Sequence, residues 1–120
     1  MEDGVVACKM VKEVKRPWGD FKQFALNEKC TVKILEVKPR RLLSLQKHKK
    51  RKELWYFLTS GYVQIGDKIS KVNKNSIVVI PKMKSHRLIA KEKKVKVLEV
   101  SFGFFDEKDE IRLEDRYGRK

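Results

Sequence analysis

Short runs of β-branched and aromatic residues recur along this chain of 120 residues. Turn-forming residues separate the runs, among them Pro39, Gly61, Gly66 and Pro81. Runs of this length and spacing are typical of strands joined by tight turns. We predict strands over residues 31–37, 42–47, 54–58, 62–65, 76–80, 86–89 and 95–102. Many short strands at close spacing predict an all-β sandwich or a small barrel.

The two ends of the chain differ in pattern from its middle. Residues 1–15 precede the dense strand signals, and we predict that they form an N-terminal arm or an extra strand. Residues 16–120 are long enough for one domain with a modest core, and the hydrophobic content of 41% supplies it. Only residues 106–116 have a pattern that suits a helix, so we predict one short helix near the C-terminus.

The chain has two histidines, His48 and His86. A lone histidine on a strand is more often a hydrogen-bonded residue than a ligand. Side chains alternate along a strand, however, so Gln46 and His48 point to one face, and Glu53 on the next run can converge with them. His86 can supply a fourth ligand. Two imidazoles and two oxygen donors suit a divalent ion such as zinc, manganese or iron, so the sequence predicts a metal site.

The charge of the chain is strongly positive. Thirty Lys and Arg residues against sixteen Asp and Glu residues give a formal net charge of +14. The lysines are scattered, and no basic stripe is interleaved with aromatic residues, so we do not expect a nucleic-acid partner. A positive rim also attracts small anions such as sugar phosphates. The charged share of 38% resembles that of proteins from hyperthermophiles.

The sequence does not predict a membrane protein. No apolar stretch approaches the length that spans a bilayer, and the first residues (Met1, Glu2, Asp3, Gly4) lack the basic-then-apolar order of a signal peptide. We therefore expect a cytoplasmic protein with no membrane partner.

Several motifs of the chain occur together in one known family. They are R-P-W-G-D-F at 16–21, L-S-L-Q-K-H at 43–48, R-K-E-L-W at 51–55, I-P-K-M-K-S-H-R-L at 80–88 and D-E-I-R-L-E-D-R-Y-G-R at 109–119. The chain resembles the cupin domain of type II phosphomannose isomerases. That domain also forms the C-terminal part of bifunctional phosphomannose isomerase/mannose-1-phosphate guanylyltransferases. The nucleotide-binding half of those enzymes has no counterpart in these residues, so nucleotidyl transfer is not expected of this chain.

The resemblance implies a fold, a cofactor and a reaction. The implied fold is a cupin double-stranded β-helix, a jelly-roll barrel. The implied cofactor is one divalent ion (zinc, manganese, iron or cobalt), and Gln46, His48, Glu53 and His86 match the ligand positions of the family. The implied reaction interconverts mannose 6-phosphate and fructose 6-phosphate. Cupins of this size often pair through sheet edges, so a homodimer is also expected.

Other residues are candidates for the substrate site. Arginine suits a phosphate because its guanidinium binds two oxygens at once. The candidates for substrate binding are Arg87, Arg116 and Arg119, with Lys50 and Arg51 as weaker ones. The reaction also needs a proton-transferring group, and the catalytic candidates are Glu99, Lys84 and Arg119.

Four departures from the family pattern leave a second function open. Lys50 and Leu54 stand where histidines are usual, Met83 stands where a glycine is usual, and Arg40 replaces part of a Pro-Gly pair. The chain also offers no free histidine as a base. The alternative to an isomerase is therefore a non-catalytic cupin that binds a sugar phosphate or nucleotide sugar and acts with a separate guanylyltransferase. The dense motif match favours the isomerase.

Overall fold

The computed structural model describes residues 11–48, 51–103 and 107–114, which form strands and one short 3-10 turn. The strands are β1 (Lys12–Arg16), β2 (Gly19–Gln23), β3 (Cys30–Val37), β4 (Leu45–His48), β5 (Lys52–Phe57), β6 (Gly61–Ile65), β7 (Lys68–Val72), β8 (Ile77–Ile80), β9 (His86–Ile89), β10 (Val95–Phe102) and β11 (Glu110–Glu114). The 3-10 turn (Glu107–Asp109) lies between β10 and β11. The prediction of an all-β fold is confirmed.

The strands form three antiparallel sheets. β1 and β2 make a hairpin, β3-β10-β5-β8 make a four-stranded sheet, and β11-β4-β9-β6-β7 make a five-stranded sheet. The main core lies between the two larger sheets, because its buried apolar side chains come from both. They include Trp55, Phe57, Val78 and Val97 from the first sheet and Val63, Ile65, Val72 and Leu88 from the second.

The outer face of the four-stranded sheet has a smaller core of its own. Leu54, Val100 and Phe102 are buried there, and residues flanking the β1-β2 hairpin, such as Val11 and Phe24, pack against them. Leu54 thus lies on the opposite face of β5 from Glu53, as strand alternation requires. Leucine in place of the usual histidine at position 54 therefore affects the packing on this outer face.

The prediction of a C-terminal helix over residues 106–116 is wrong. Within this stretch the described residues form the 3-10 turn and then β11, which pairs with β4. A strand is the better solution because β4 would otherwise have an unpaired edge, and Ile111 and Leu113 alternate with polar residues at the period of a strand. Strands β2 and β7 were also not predicted, since their sequences (GDFKQ and KISKV) are mostly polar. Strand β1 overlaps residues 1–15, for which an arm or an extra strand was predicted.

Two of the family departures fall at left-handed backbone positions. Arg40 has φ 60° and Met83 has φ 66°, a region that glycine adopts without a steric penalty and that bulky residues avoid. Met83 is held in this conformation because its N–H donates to the His48 carbonyl oxygen at 2.7 Å. The loop between β8 and β9 is thereby attached to the end of β4.

Replacing Met83 with glycine should stabilise the protein. Relief of the left-handed strain should exceed the entropy that glycine adds to the unfolded chain, for a net gain of about 0.5–1 kcal/mol in the free energy of unfolding. Urea denaturation of wild type and Met83→Gly measures the difference. Lys82→Gly, at the exposed neighbouring position, is the control and should not raise the free energy of unfolding. If the free energy of unfolding falls equally in both variants, the backbone at Met83 is not strained.

Candidate metal centre

Three of the four predicted ligand residues lie together inside the molecule. His48 ends β4, Glu53 is near the start of β5, and His86 begins β9. Their side chains are 3%, 2% and 1% exposed. One ligand atom from each lies within 4.8 Å of the others. The two sheets thus bring together residues that are distant along the chain.

Gln46, the fourth predicted ligand, lies on the strand position that faces this cluster. It is directly opposite His86 in the β4–β9 ladder, and directly opposed residues of an antiparallel pair share one face. It also shares its face with His48, two residues along β4. Its role as a ligand stays a prediction.

Both imidazole rings are oriented by backbone carbonyl groups. Nδ1 of His48 is 3.2 Å from the Asp109 carbonyl oxygen, and Nδ1 of His86 is 2.8 Å from that of Lys84. A carbonyl oxygen only accepts, so each Nδ1 carries a proton, and in the neutral ring Nε2 is the nitrogen with the lone pair. A hydrogen bond from the second ring nitrogen is the usual way in which a metal-binding histidine is fixed.

The two Nε2 atoms meet at one carboxylate oxygen. Glu53 Oε1 is 3.4 Å from Nε2 of His48 and 3.2 Å from Nε2 of His86. Among the described residues, the buried Nε2 of His86 has no hydrogen-bond partner. A buried polar atom without a partner is costly, and a cation shared with Glu53 would satisfy it. Two imidazole nitrogens and a carboxylate oxygen therefore fit a divalent ion.

The second oxygen of Glu53 is held by neighbouring side chains. Oε2 accepts hydrogen bonds from Arg51 Nε at 3.1 Å and from Ser101 Oγ at 2.9 Å. Burial alone would raise the pKa of Glu53, but the contacts with His48 and His86, which lower it when the rings are protonated, outweigh burial, and the pKa lies well below its ordinary value. The carboxylate is therefore ionised and has one oxygen directed at the imidazoles.

Arg51 lies inside the cluster. It was a weaker candidate for phosphate binding, but its side chain is 5% exposed and contacts two predicted ligands. Besides its bond to Glu53, a terminal nitrogen lies 3.3 Å from Nε2 of His48. A cation bound to His48 would need that contact released, whereas the bond to Glu53 could stay. Arg51 thus orients the carboxylate.

Arg87 is not directed at the cluster. It follows His86 on β9, and alternation places consecutive side chains on opposite faces. Its ladder partner is Gln64, whose Oε1 accepts a hydrogen bond from Arg87 Nε at 3.0 Å. The prediction that Arg87 binds phosphate beside a metal gets no support from this geometry.

The remaining candidates fall into two groups. The side chain of Lys84 is exposed, and its backbone carbonyl is the group that contacts His86. Lys50, Arg116 and Arg119 lie outside the described residues.

Glu99 is buried close to the cluster. Its Oε2 accepts a hydrogen bond from Trp55 Nε1 at 3.0 Å, and the Trp55 ring packs edge-on against that of His86, with centroids 5.4 Å apart. Burial and then the charge of Glu53 raise the pKa of Glu99 above its ordinary value. Glu99 is thus a second carboxylate that faces the same interior without contacting the imidazoles.

The sequence-based prediction missed several supporting groups. They are Ser101, the carbonyl of Asp109 and the orienting contacts of Arg51 and Trp55. Alternation along the run 95–102 places Ser101 and Glu99 on one face, and this signal could have identified Ser101. The carbonyl contact depends on the β4–β11 pairing, which no local pattern indicates.

A family model described as "Mannose-6-phosphate isomerase C-terminal" matches residues 3–115. The chain belongs to this family. The resemblance inferred from the motifs is confirmed.

Curated relatives cover nearly the whole chain. The chain is 36% identical over 112 residues to "Xanthan biosynthesis protein XanB" of Xanthomonas campestris. It is 35% identical over 120 residues to "Mannose-1-phosphate guanylyltransferase ManC" of Salmonella typhimurium, and 39% identical over 111 residues to "Alginate biosynthesis protein AlgA" of Pseudomonas aeruginosa. These matches cover 90%, 98% and 89% of this chain but 24%, 25% and 23% of the relatives. The chain therefore spans about a quarter of their length.

Solved structures support the cupin fold. An oxalate decarboxylase from Bacillus subtilis matches with TM-score 0.65 and 26% identity, covering 72% of this chain and 24% of that chain. A dTDP sugar isomerase from Desulfovibrio desulfuricans matches with TM-score 0.67 and 12% identity, covering 88% of this chain and 82% of that chain. The second likeness concerns the fold alone. In the described part of the chain, no helix has the length and apolarity to cross a membrane.

Metal affinity should depend on His86 and Gln46 but not on Gln64. His86→Ala removes one of two imidazoles and should weaken binding of Co²⁺ or Zn²⁺ at least tenfold, about 1.4 kcal/mol or more. Gln46→Ala should weaken it less, because an amide oxygen is the weaker donor. Isothermal titration calorimetry measures both.

Gln64→Ala is the matched control, since Gln64 is an amide on the opposite face of the same sheet. Unchanged affinity in His86→Ala, or an equal loss in the two glutamine variants, would contradict the assignment.

Proposed function

We propose that this chain is a divalent-metal-dependent isomerase that interconverts mannose 6-phosphate and fructose 6-phosphate. The main support is the convergence of two imidazole Nε2 atoms on one carboxylate oxygen, at 3.4 and 3.2 Å. The family to which the chain belongs adds the substrate class. We propose Gln46, His48, Glu53 and His86 as the residues that hold the ion.

The reaction moves two hydrogen atoms within the sugar and leaves its molecular formula unchanged. The C2 proton of the aldose moves to C1, and the hydroxyl hydrogen on O2 moves to O1, which leaves a ketone at C2. A bound divalent ion would polarise the sugar oxygens that gain charge. The protein must supply a group that accepts the C2 proton and returns it to C1.

Glu99 is our proposal for that proton-transferring group. Glu53 has both oxygens engaged, by the imidazoles on one side and by Arg51 and Ser101 on the other. Glu99 is two residues from Ser101, which is directly opposite Glu53. Such diagonal neighbours are about 7–8 Å apart, so one small substrate can reach both. Lys84 is less suitable because its side chain is exposed.

The phosphate needs a cationic partner. We propose Arg116 and Arg119 for this role, on the resemblance of the C-terminal motif. The net charge of +14 favours capture of an anionic sugar from solution.

The second candidate function is a non-catalytic domain that binds a sugar phosphate or nucleotide sugar beside a separate guanylyltransferase. Arg51 favours it, because its terminal nitrogen lies 3.3 Å from the Nε2 atom that a metal would use. Relatives such as ManC are described as guanylyltransferases, and the chain covers only 25% of that protein.

An isomerisation assay distinguishes the two functions. Wild type supplied with Zn²⁺, Mn²⁺ or Co²⁺ should convert mannose 6-phosphate to fructose 6-phosphate. Glu99→Gln should lower kcat by about 10²-fold or more while the bound metal is retained, since a carboxamide cannot accept the proton. Glu92→Gln, in the exposed β9–β10 loop, is the control and should match wild type. Tight sugar-phosphate binding without conversion under any metal would favour the binding domain.

A further inference from the structure

Glu99 is the middle residue of a row that crosses three strands. Trp55 on β5 and Lys33 on β3 are both directly opposite it. Directly opposed residues share a face and have Cβ atoms about 4.5–5.5 Å apart. Glu99 therefore has an indole donor on one side and a lysine on the other.

The first half of β3 shows the reverse of the usual pattern of an edge strand. Val32 and Ile34 are 56% and 59% exposed, whereas Lys33 between them is half-buried on the inner face. In a sheet with one solvated face, apolar side chains normally point inward and charged ones outward. An inward ammonium group is costly unless charged or polar groups compensate it.

The inner face shows where such compensation lies. The row next to Lys33, Glu99 and Trp55 is also polar and contains Thr31, Ser101 and Glu53. The row on the other side of Glu99 is apolar and contains Leu35, Val97 and Phe57. Lys33 thus belongs to the polar end of the sheet, the end that holds the candidate metal centre.

We propose that Lys33 is a positioning residue for Glu99. Together with the Trp55 indole, its ammonium group keeps the Glu99 side chain as an ionised carboxylate directed into the substrate space. This inference rests on the proposed isomerase function, since it gives Lys33 a role through the proton-transferring group.

The electrostatics around Glu99 support this role. Burial and the charge of Glu53 raise the pKa of Glu99, while the hydrogen bond from Trp55 and the charges of Lys33 and Arg51 act in the opposite direction. Lys33 is the cation on the β3 side, and Glu53 and Arg51 act from the β5 side. A proton acceptor must be ionised, so loss of Lys33 should leave Glu99 protonated over more of the working pH range. Trp55 binds Oε2, and we assign proton transfer to Oε1.

Kinetics of Lys33 variants test the inference. Lys33→Met should move the acid limb of the kcat profile to higher pH and lower kcat on the order of 10-fold along that limb, with KM and metal content unchanged. Lys33→Arg should restore most of the rate. Lys96→Met is the matched control, because Lys96 lies on the outer face of the adjacent strand, paired with Glu36, and it should match wild type. A Lys33→Met effect on KM alone would overturn the positioning role.

Carbon-detected NMR of the Glu99 carboxyl group tests the same inference without activity. Its titration midpoint should rise in Lys33→Met, since removing a cation disfavours the charged form, and should not move in Lys96→Met. An unchanged midpoint in Lys33→Met would overturn the proposal. If wild type isomerises no sugar phosphate but the midpoint rises, the isomerase function fails and the Lys33–Glu99 coupling stands.

Discussion

The burial of one ionised carboxylate constrains most of this structure. Glu53 is 2% exposed, and taking a carboxylate out of water costs several kcal/mol unless it is paired and hydrogen-bonded. Its partners come from the end of β4 (His48), the residue before β5 (Arg51), the start of β9 (His86) and β10 (Ser101). The two larger sheets must therefore meet in a register that brings these four groups to one point. Apolar packing of the rows beyond them then stabilises that register.

Polar groups are concentrated at one end of the interior, and this leaves room for a folded core and a candidate functional site in 120 residues. The rows that contain Glu53 and Glu99 are polar, and the next row is formed by Leu35, Val97 and Phe57. Trp55 links the two functions, because its ring packs against His86 while its N–H holds Glu99. A change at the candidate metal centre would thus also alter the surroundings of the proposed proton-transferring group.

Local pattern predicted the all-β class, most of the strands and the three residues that meet at the centre. Strand alternation places Gln46 and His48 on one face of β4, whereas Glu53 lies on β5 in the other sheet, so its convergence with His48 depends on how the two sheets pack. Strand alternation also places Arg87 on the opposite face of β9 from His86, so their proximity in sequence did not place Arg87 at the cluster. Lys33 could not be identified, since its partner Glu99 is 66 residues away and becomes its neighbour only through the β3–β10 register. The C-terminal segment was mispredicted because the open edge of β4 determines its conformation.

Anomalous diffraction from crystals grown with Co²⁺ and measured on both sides of the cobalt absorption edge tests the metal centre most directly. We expect one anomalous peak about 2.0–2.2 Å from Nε2 of His48, Nε2 of His86 and an oxygen of Glu53. Arg51 should have moved away from His48 while keeping its bond to Glu53. A cobalt peak elsewhere, or none with Arg51 still against His48, would contradict the account.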